Sequence, residues 1–121
     1  SNTTYGARVR LQYKFTEPES IIRIVFDQGS KINDAEDAYY ENFVGVTYFY
    51  NNETLVYDEI DISKGYFYIS EIEDYLLKTE DGYTLTVQYN ISTTGQYRYT
   101  EIKMPDVAVV RRTDYVESIE P

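Results

Sequence analysis

The chain has 121 residues, a formal net charge of −10 and neither cysteine nor histidine. That length suits one domain with one core. Without thiols or imidazoles, the chain by itself can form no disulfide, no thiolate zinc site, no Ser-His-Asp or Cys-His triad and no histidine-ligated metal centre.

Residues 7–15 alternate strictly, with Val9, Leu11, Tyr13 and Phe15 on one side and Arg8, Arg10, Gln12 and Lys14 on the other. A period of two over this length predicts a strand with one buried and one wet face. Pro18 breaks the ladder. A second strand is expected over 20–26, with Ile22, Ile24 and Phe26 on one face and Arg23 on the other. Residues 27–42 are rich in Asp, Asn, Glu and Gly and read as a long loop.

Strand pattern returns at 43–50. Asn51-Asn52 suits a hairpin turn, because Asn tolerates positive φ. A short strand over 53–58 and an acidic loop over 58–65 follow, then a compact strand over 66–69. Ser70 with Glu73 three residues on has the spacing of a capping box, and predicts a turn or two of helix over 70–77. Residues 83–89 show the cleanest alternation in the chain. A last core strand is expected over 96–104, stopped by Pro105, with an edge strand over 107–110. Segments 1–110 thus form the domain, and 111–121 reads as a tail or a linker to a further domain.

Seven strand-like segments at short spacing, with one short helix, predict an all-β antiparallel sandwich. Tyr83, in phase with Leu85 and Val87 after Asp81-Gly82, resembles the tyrosine corner of immunoglobulin-like sandwiches, whose hydroxyl caps the turn before strand F. The disulfide and buried tryptophan of antibody domains are absent, so the resemblance is to the fibronectin-type and bacterial cell-surface branches. Phe43-Val44-Gly45-Val46-Thr47-Tyr48, Gly65-Tyr66-Phe67-Tyr68, Gly82-Tyr83-Thr84-Leu85-Thr86-Val87 and Tyr99-Thr100-Glu101-Ile102-Lys103-Met104-Pro105 stand in that order. The order is similar to the amino-terminal sandwich of Bacteroidetes surface lipoproteins of unknown function. That resemblance implies an envelope location and supplies no catalytic residue.

Charge is uneven: residues 1–26 carry +2, residues 27–81 carry −11 and residues 82–121 carry −1. So acidic a middle repels phosphates, which argues against a nucleic-acid partner. No apolar run approaches the roughly 20 residues of a membrane-spanning helix.

With histidine and cysteine absent, carboxylates are the main general acid-base groups left. Asp58, Glu59 and Asp61, or Glu71, Glu73 and Asp74, would supply a glycosidase pair, but a solvated loop face is the plainer expectation and the chain is read as no enzyme. No cofactor is required. Calcium is the cation the donor set would suit, with Asp27, Asp34 and Asp37 offering oxygens from one turning segment. Tyr48 and Tyr50 share one strand face, as do Tyr97 and Tyr99; turned outward, these rings would make a platform for a glycan or a protein partner. The sequence therefore predicts a non-catalytic binding or structural module of the cell envelope or extracellular space. A glycan-binding module and a phage or virion structural subunit are the alternatives.

Overall fold

The alternation that opens the chain forms a strand longer than its pattern. In the computed structural model, which describes residues 4–27, 29–33, 40–42, 45–94 and 99–113, β1 spans Thr4–Phe15. Its antiparallel partner β9 (Gly82–Thr94) stays in register from Thr4 opposite Thr94 to Phe15 opposite Tyr83. The other edge of β9 is shared. There β5 (Gly45–Asn51) pairs from Gly45 opposite Ile91 to Phe49 opposite Val87, and β8 (Leu76–Thr79) pairs from Leu76 opposite Leu85 to Thr79 opposite Gly82. Beyond β5 lies β6 (Val56–Glu59), completing a five-stranded sheet.

The second layer holds two short ladders. One has the order β11 (Val107–Arg111), β2 (Ile21–Phe26), β7 (Tyr66–Tyr68). The other has the order β10 (Tyr99–Lys103), β3 (Ser30–Asn33), β4 (Tyr40–Asn42). Lys103 lies opposite Ser30 and Val107 opposite Phe26. Both strands advance by four positions between these pairs, so a single antiparallel register runs through both ladders and is bent between them.

The bend has its own chemistry. Gly29 sits at φ +66°, and a Cβ there would lie 2.5 Å from the Lys103 carbonyl oxygen, so only glycine fits without displacing the backbone. Pro105, opposite, has no N–H to give a ladder. The Asp27 N–H donates to the Asp106 carbonyl at 3.0 Å, while Asp27 Oδ1 accepts from the Gly29 N–H at 3.0 Å and the Asp106 N–H at 3.1 Å.

The layers meet through the residues that alternation turns inward. Leu85, Val87, Tyr89 and Ile91 of β9, Phe15 of β1 and Phe49 of β5 pack against Ile21, Ile24 and Phe26 of β2 and Phe67 of β7, all buried. Ring contacts stitch the two sheets: Phe26 to Phe49 at 5.8 Å and Phe49 to Phe67 at 5.5 Å between centroids. Burial of each such side chain contributes roughly 1.5–3 kcal/mol. The architecture is the expected antiparallel all-β sandwich. Its strand order is its own, with the first strand beside β9 and the last beside β2.

Several local expectations change. The described residues form eleven strands rather than about seven. The excess comes from β3 and β4, which lie where a loop was expected over 27–42, and from β8, which takes the end of the expected helix. The helix expected over 70–77 is two 3-10 turns, Ile69–Glu71 and Glu73–Tyr75, running into β8. Leu76 is needed opposite Leu85 in the ladder, which outweighs the helical spacing. The reach-back bond is donated by the Tyr68 N–H to Glu71 Oε1 at 3.1 Å, two residues earlier than the expected pair. In β2 the register slips where Arg111 meets Ile21 after Val110 meets Arg23. This bulge turns Ile21 rather than Ile22 into the core. Hairpin β5–β6 turns over 52–55, and positive φ falls on Leu55, not on Asn51 or Asn52. Asn51 instead caps the loop, its Oδ1 accepting from the N–H groups of Glu53 and Thr54. Tyr83 starts β9 but its hydroxyl makes no hydrogen bond among the described residues; the tyrosine that fastens to a backbone carbonyl is Tyr13, on Pro105 at 2.7 Å. Among the described residues no helix is long and apolar enough to cross a membrane.

Candidate functional site

Because β1, β9 and β5 bury one face against the second layer, the alternate residues of the same strands form the outer face of the large sheet. Register assembles them into rows. Arg10 lies opposite Gln88, Gln88 opposite Tyr48, and Tyr48 opposite Glu59, a row crossing four strands. One neighbouring row runs Arg8, Asn90, Val46, and a third runs Lys14, Thr84, Leu77. Tyr50 faces Tyr57 across the β5–β6 pair.

At the centre Arg10 is held on two sides. Its Nε donates to Gln88 Oε1 at 2.9 Å, and its guanidinium carbon stands 4.8 Å from the Tyr57 ring centroid. Gln88 is itself oriented, since its Nε2 donates to Asn90 Oδ1 at 3.0 Å. Tyr57 is braced edge-on by Tyr50, with ring centroids 5.1 Å apart at 63°. Gln88 points away from the core yet is only 8 % exposed, being covered by this cluster. The two terminal nitrogens of Arg10 have no protein acceptor among the described residues. The result is an exposed guanidinium fixed by an amide and a ring.

The electrostatics of the face run against those of the chain. Arg8, Arg10 and Lys14 stand on it with Glu59 as the one carboxylate in the same rows, whereas the whole chain is at −10. Several cations elsewhere are engaged: Lys64 with Glu71 at 2.8 Å, Lys78 with Glu19 at 2.9 Å, and Arg111 with the carbonyls of Thr16 and Glu17. Chemically, such a face can hold a ligand by charge, ring stacking and amide hydrogen bonds.

Tyr48 and Tyr50 thus lie where the platform reading requires them, outward and half-buried. Tyr97 lies outside the described residues. Tyr99 begins β10 opposite Asn33, in the other layer, so the structure does not bring it to Tyr48 and Tyr50. A second tyrosine pair, Tyr66 and Tyr68, is exposed on β7, with Arg23 5.6 Å and Lys64 5.3 Å from the Tyr66 ring.

Of the expected calcium ligands, Asp34 and Asp37 lie outside the described residues, and Asp27 spends Oδ1 on the two backbone N–H groups of the bend. The described residues contain no group of three or more acidic side chains placed to share a metal ion. The carboxylates considered for acid-base work are dispersed. Asp58 Oδ2 accepts from the Tyr75 hydroxyl at 2.9 Å and from Asn51 at 3.1 Å, while Glu59, next in the strand, points to the opposite face. Burial, and then the bond to Asp58, raise the Tyr75 hydroxyl pKa. Asp61 and Glu71 are held below the usual carboxylate range, Asp61 by the Ser63 N–H and Glu71 by Lys64.

Sequence reasoning missed Arg10, Gln88 and Tyr57 as members of one site. The signal is present in part: alternation shows a basic stripe on β1 and an aromatic one on β5, but which strand lies between them is a matter of sheet order. No family model matches the chain, and no curated protein or solved structure matches it.

Proposed function

We propose that this domain is a non-catalytic binding module of an envelope or extracellular protein, and that its ligand lies on the outer face of the five-stranded sheet. The observation that carries the reading is the exposed Arg10 guanidinium, held by Gln88 and Tyr57 while its terminal nitrogens make no hydrogen bond among the described residues. Holding one cation in place by two neighbours reduces the ordering that a ligand must otherwise impose. The half-buried rings of Tyr48, Tyr50 and Tyr57 add flat, stiff contact area beside it. Among the described residues, carboxylates are dispersed over both faces, which favours holding over acid-base chemistry.

The test is a titration of the isotope-labelled domain with sets of neutral glycans, acidic glycans and peptides, read by amide chemical shifts. Shifts concentrated in β1, β5, β6 and β9 are expected. Ligands that perturb only the β2–β7–β11 layer, or no ligand in any set, would overturn the reading.

A further inference from the structure

Resting on the binding reading above, we propose that the ligand of this face is an acidic polysaccharide, a polymer of uronic acids whose carboxylates meet Arg8, Arg10 and Lys14. Three features of the face select this class. The first is charge. Arg8, Arg10 and Lys14 are exposed and make no ion pair among the described residues, in a chain whose acidic side chains outnumber its basic ones by 21 to 11. Three such cations on one face, with Glu59 the one carboxylate in the same rows, make a local positive patch suited to an anion from outside. The Arg10 fork, with Nε occupied by Gln88, presents its two terminal nitrogens in the planar geometry that matches a carboxylate.

The second feature is the lining between the cations. Thr84, Thr86 and Asn90 put short hydroxyl and amide groups along the middle strand, suited to sugar hydroxyls that both donate and accept. The third is the shortage of apolar anchors. Val46 and Leu77 are exposed at opposite ends of the β9 ladder, opposite Asn90 and Thr84. A protein interface draws its affinity from a wide desolvated core of large apolar side chains; among the described residues of this face the rings are the half-buried Tyr48, Tyr50 and Tyr57, grouped beside Arg10 and flanked by polar groups, which suits a chain of pyranoses with one apolar side each.

The net negative charge does not forbid such a ligand. At physiological salt the Debye length is about 8 Å, so acids on the far layer, about 10 Å away sheet to sheet, are largely screened while cations in contact are not.

The experiment is retention of the whole chain on immobilised polygalacturonate, with dextran and a sulfated polysaccharide as parallel arms. The expected result is binding to polygalacturonate at physiological salt, release by about 0.5–1 M salt, and no binding to dextran. Arg10→Ala is expected to weaken it about tenfold, and Arg10→Lys, which keeps the charge but loses the fork, by more than half of that effect on a logarithmic scale. Lys103→Ala, which removes an exposed cation from the other layer, should leave retention unchanged. Circular dichroism and Tm establish that each variant is folded. Equal loss in Lys103→Ala, equal binding in Arg10→Ala, preference for the sulfated polymer, or no binding to polygalacturonate would each overturn the proposal. If neutral glycans or peptides bind this face while polygalacturonate does not, the ligand class is wrong and the binding reading stands; if nothing binds the face, both fall.

Discussion

The hydroxyl of Tyr13 donates to the carbonyl oxygen of Pro105 at 2.7 Å, across 92 positions of sequence. A phenol has one proton, so the 2.6 Å contact between the hydroxyls of Tyr13 and Tyr89 has Tyr89 as donor. The fully buried Tyr89 thus feeds a two-step relay that ends on the bend of the second layer. The relay ties β1 and β9 to the point where β10 gives way to β11, and satisfies a buried carbonyl whose residue has no N–H of its own.

Tyr13→Phe is expected to destabilise the domain by about 1–3 kcal/mol, because the Pro105 carbonyl loses this bond while staying buried and the bond between the two hydroxyls is lost with it. Urea unfolding followed by circular dichroism measures it. A change near zero would show that water reaches the bend.

Asp27→Ala should cost about 1–2 kcal/mol, since Oδ1 accepts two backbone N–H groups that hold the bend. If that is the carboxylate's whole task, the loss is the same in excess chelator and in millimolar calcium. A calcium-dependent rise in Tm that vanishes in the variant would instead put a cation on Asp27.

Leu55 sits at φ +65° with 68 % of its surface exposed. A left-handed conformation costs an L-residue roughly 1–2 kcal/mol, and glycine nothing steric. After glycine's greater loss of chain entropy, Leu55→Gly should stabilise by about 0.5–1 kcal/mol. A raised Tm is the expected readout, and a lowered one would show that the exposed leucine makes a contact worth more than the strain.

With neither histidine nor cysteine, no ordinary side chain titrates between about pH 6 and 9, so Tm should be flat there. At high pH the sign is set by the tyrosines. Burial raises the pKa of Tyr13, Tyr75 and Tyr89 above the usual 10.0. A group raised in the folded state contributes its stability in full below the unfolded value and loses it as pH climbs through the folded one. Stability should therefore fall above pH 10, with tyrosinate absorbance rising in two stages, exposed rings first and buried rings on unfolding. On the acid side, Glu19 and Glu71 are lowered from 4.5 chiefly by bonds to Lys78 and Lys64, and Asp61 from 3.8 by the Ser63 N–H. Their contributions are present above those values and are lost as pH falls through the lowered ones; all three are solvent-exposed, so the acid loss is shallow.

Local pattern carried much of the fold. Alternation in 7–15 and 83–89 gave two strands and the face each buries, because a period of two has one solution once one side is apolar. Boundaries and phase were less legible where a neighbour overrode the local signal. Ile21 replaces Ile22 inside because of a bulge opposite Arg111, and 76–79 pairs with β9 instead of extending a helix. The loop read over 27–42 contains β3 and β4, since polar residues enter a ladder when a partner offers hydrogen bonds.

The candidate face divides the same way. The sequence by itself placed Arg8, Arg10 and Lys14 on one side of a strand and Tyr48 with Tyr50 on one side of another, and the missing histidine and cysteine removed most catalytic chemistries. Only the tertiary structure decided that β9 lies between those strands. It put Gln88 under Arg10, brought Tyr57 to its guanidinium, and turned the tyrosines outward rather than into the core. Side-chain alternation is written into each strand, whereas strand order is settled by packing between segments distant in sequence, and the site exists only through that order.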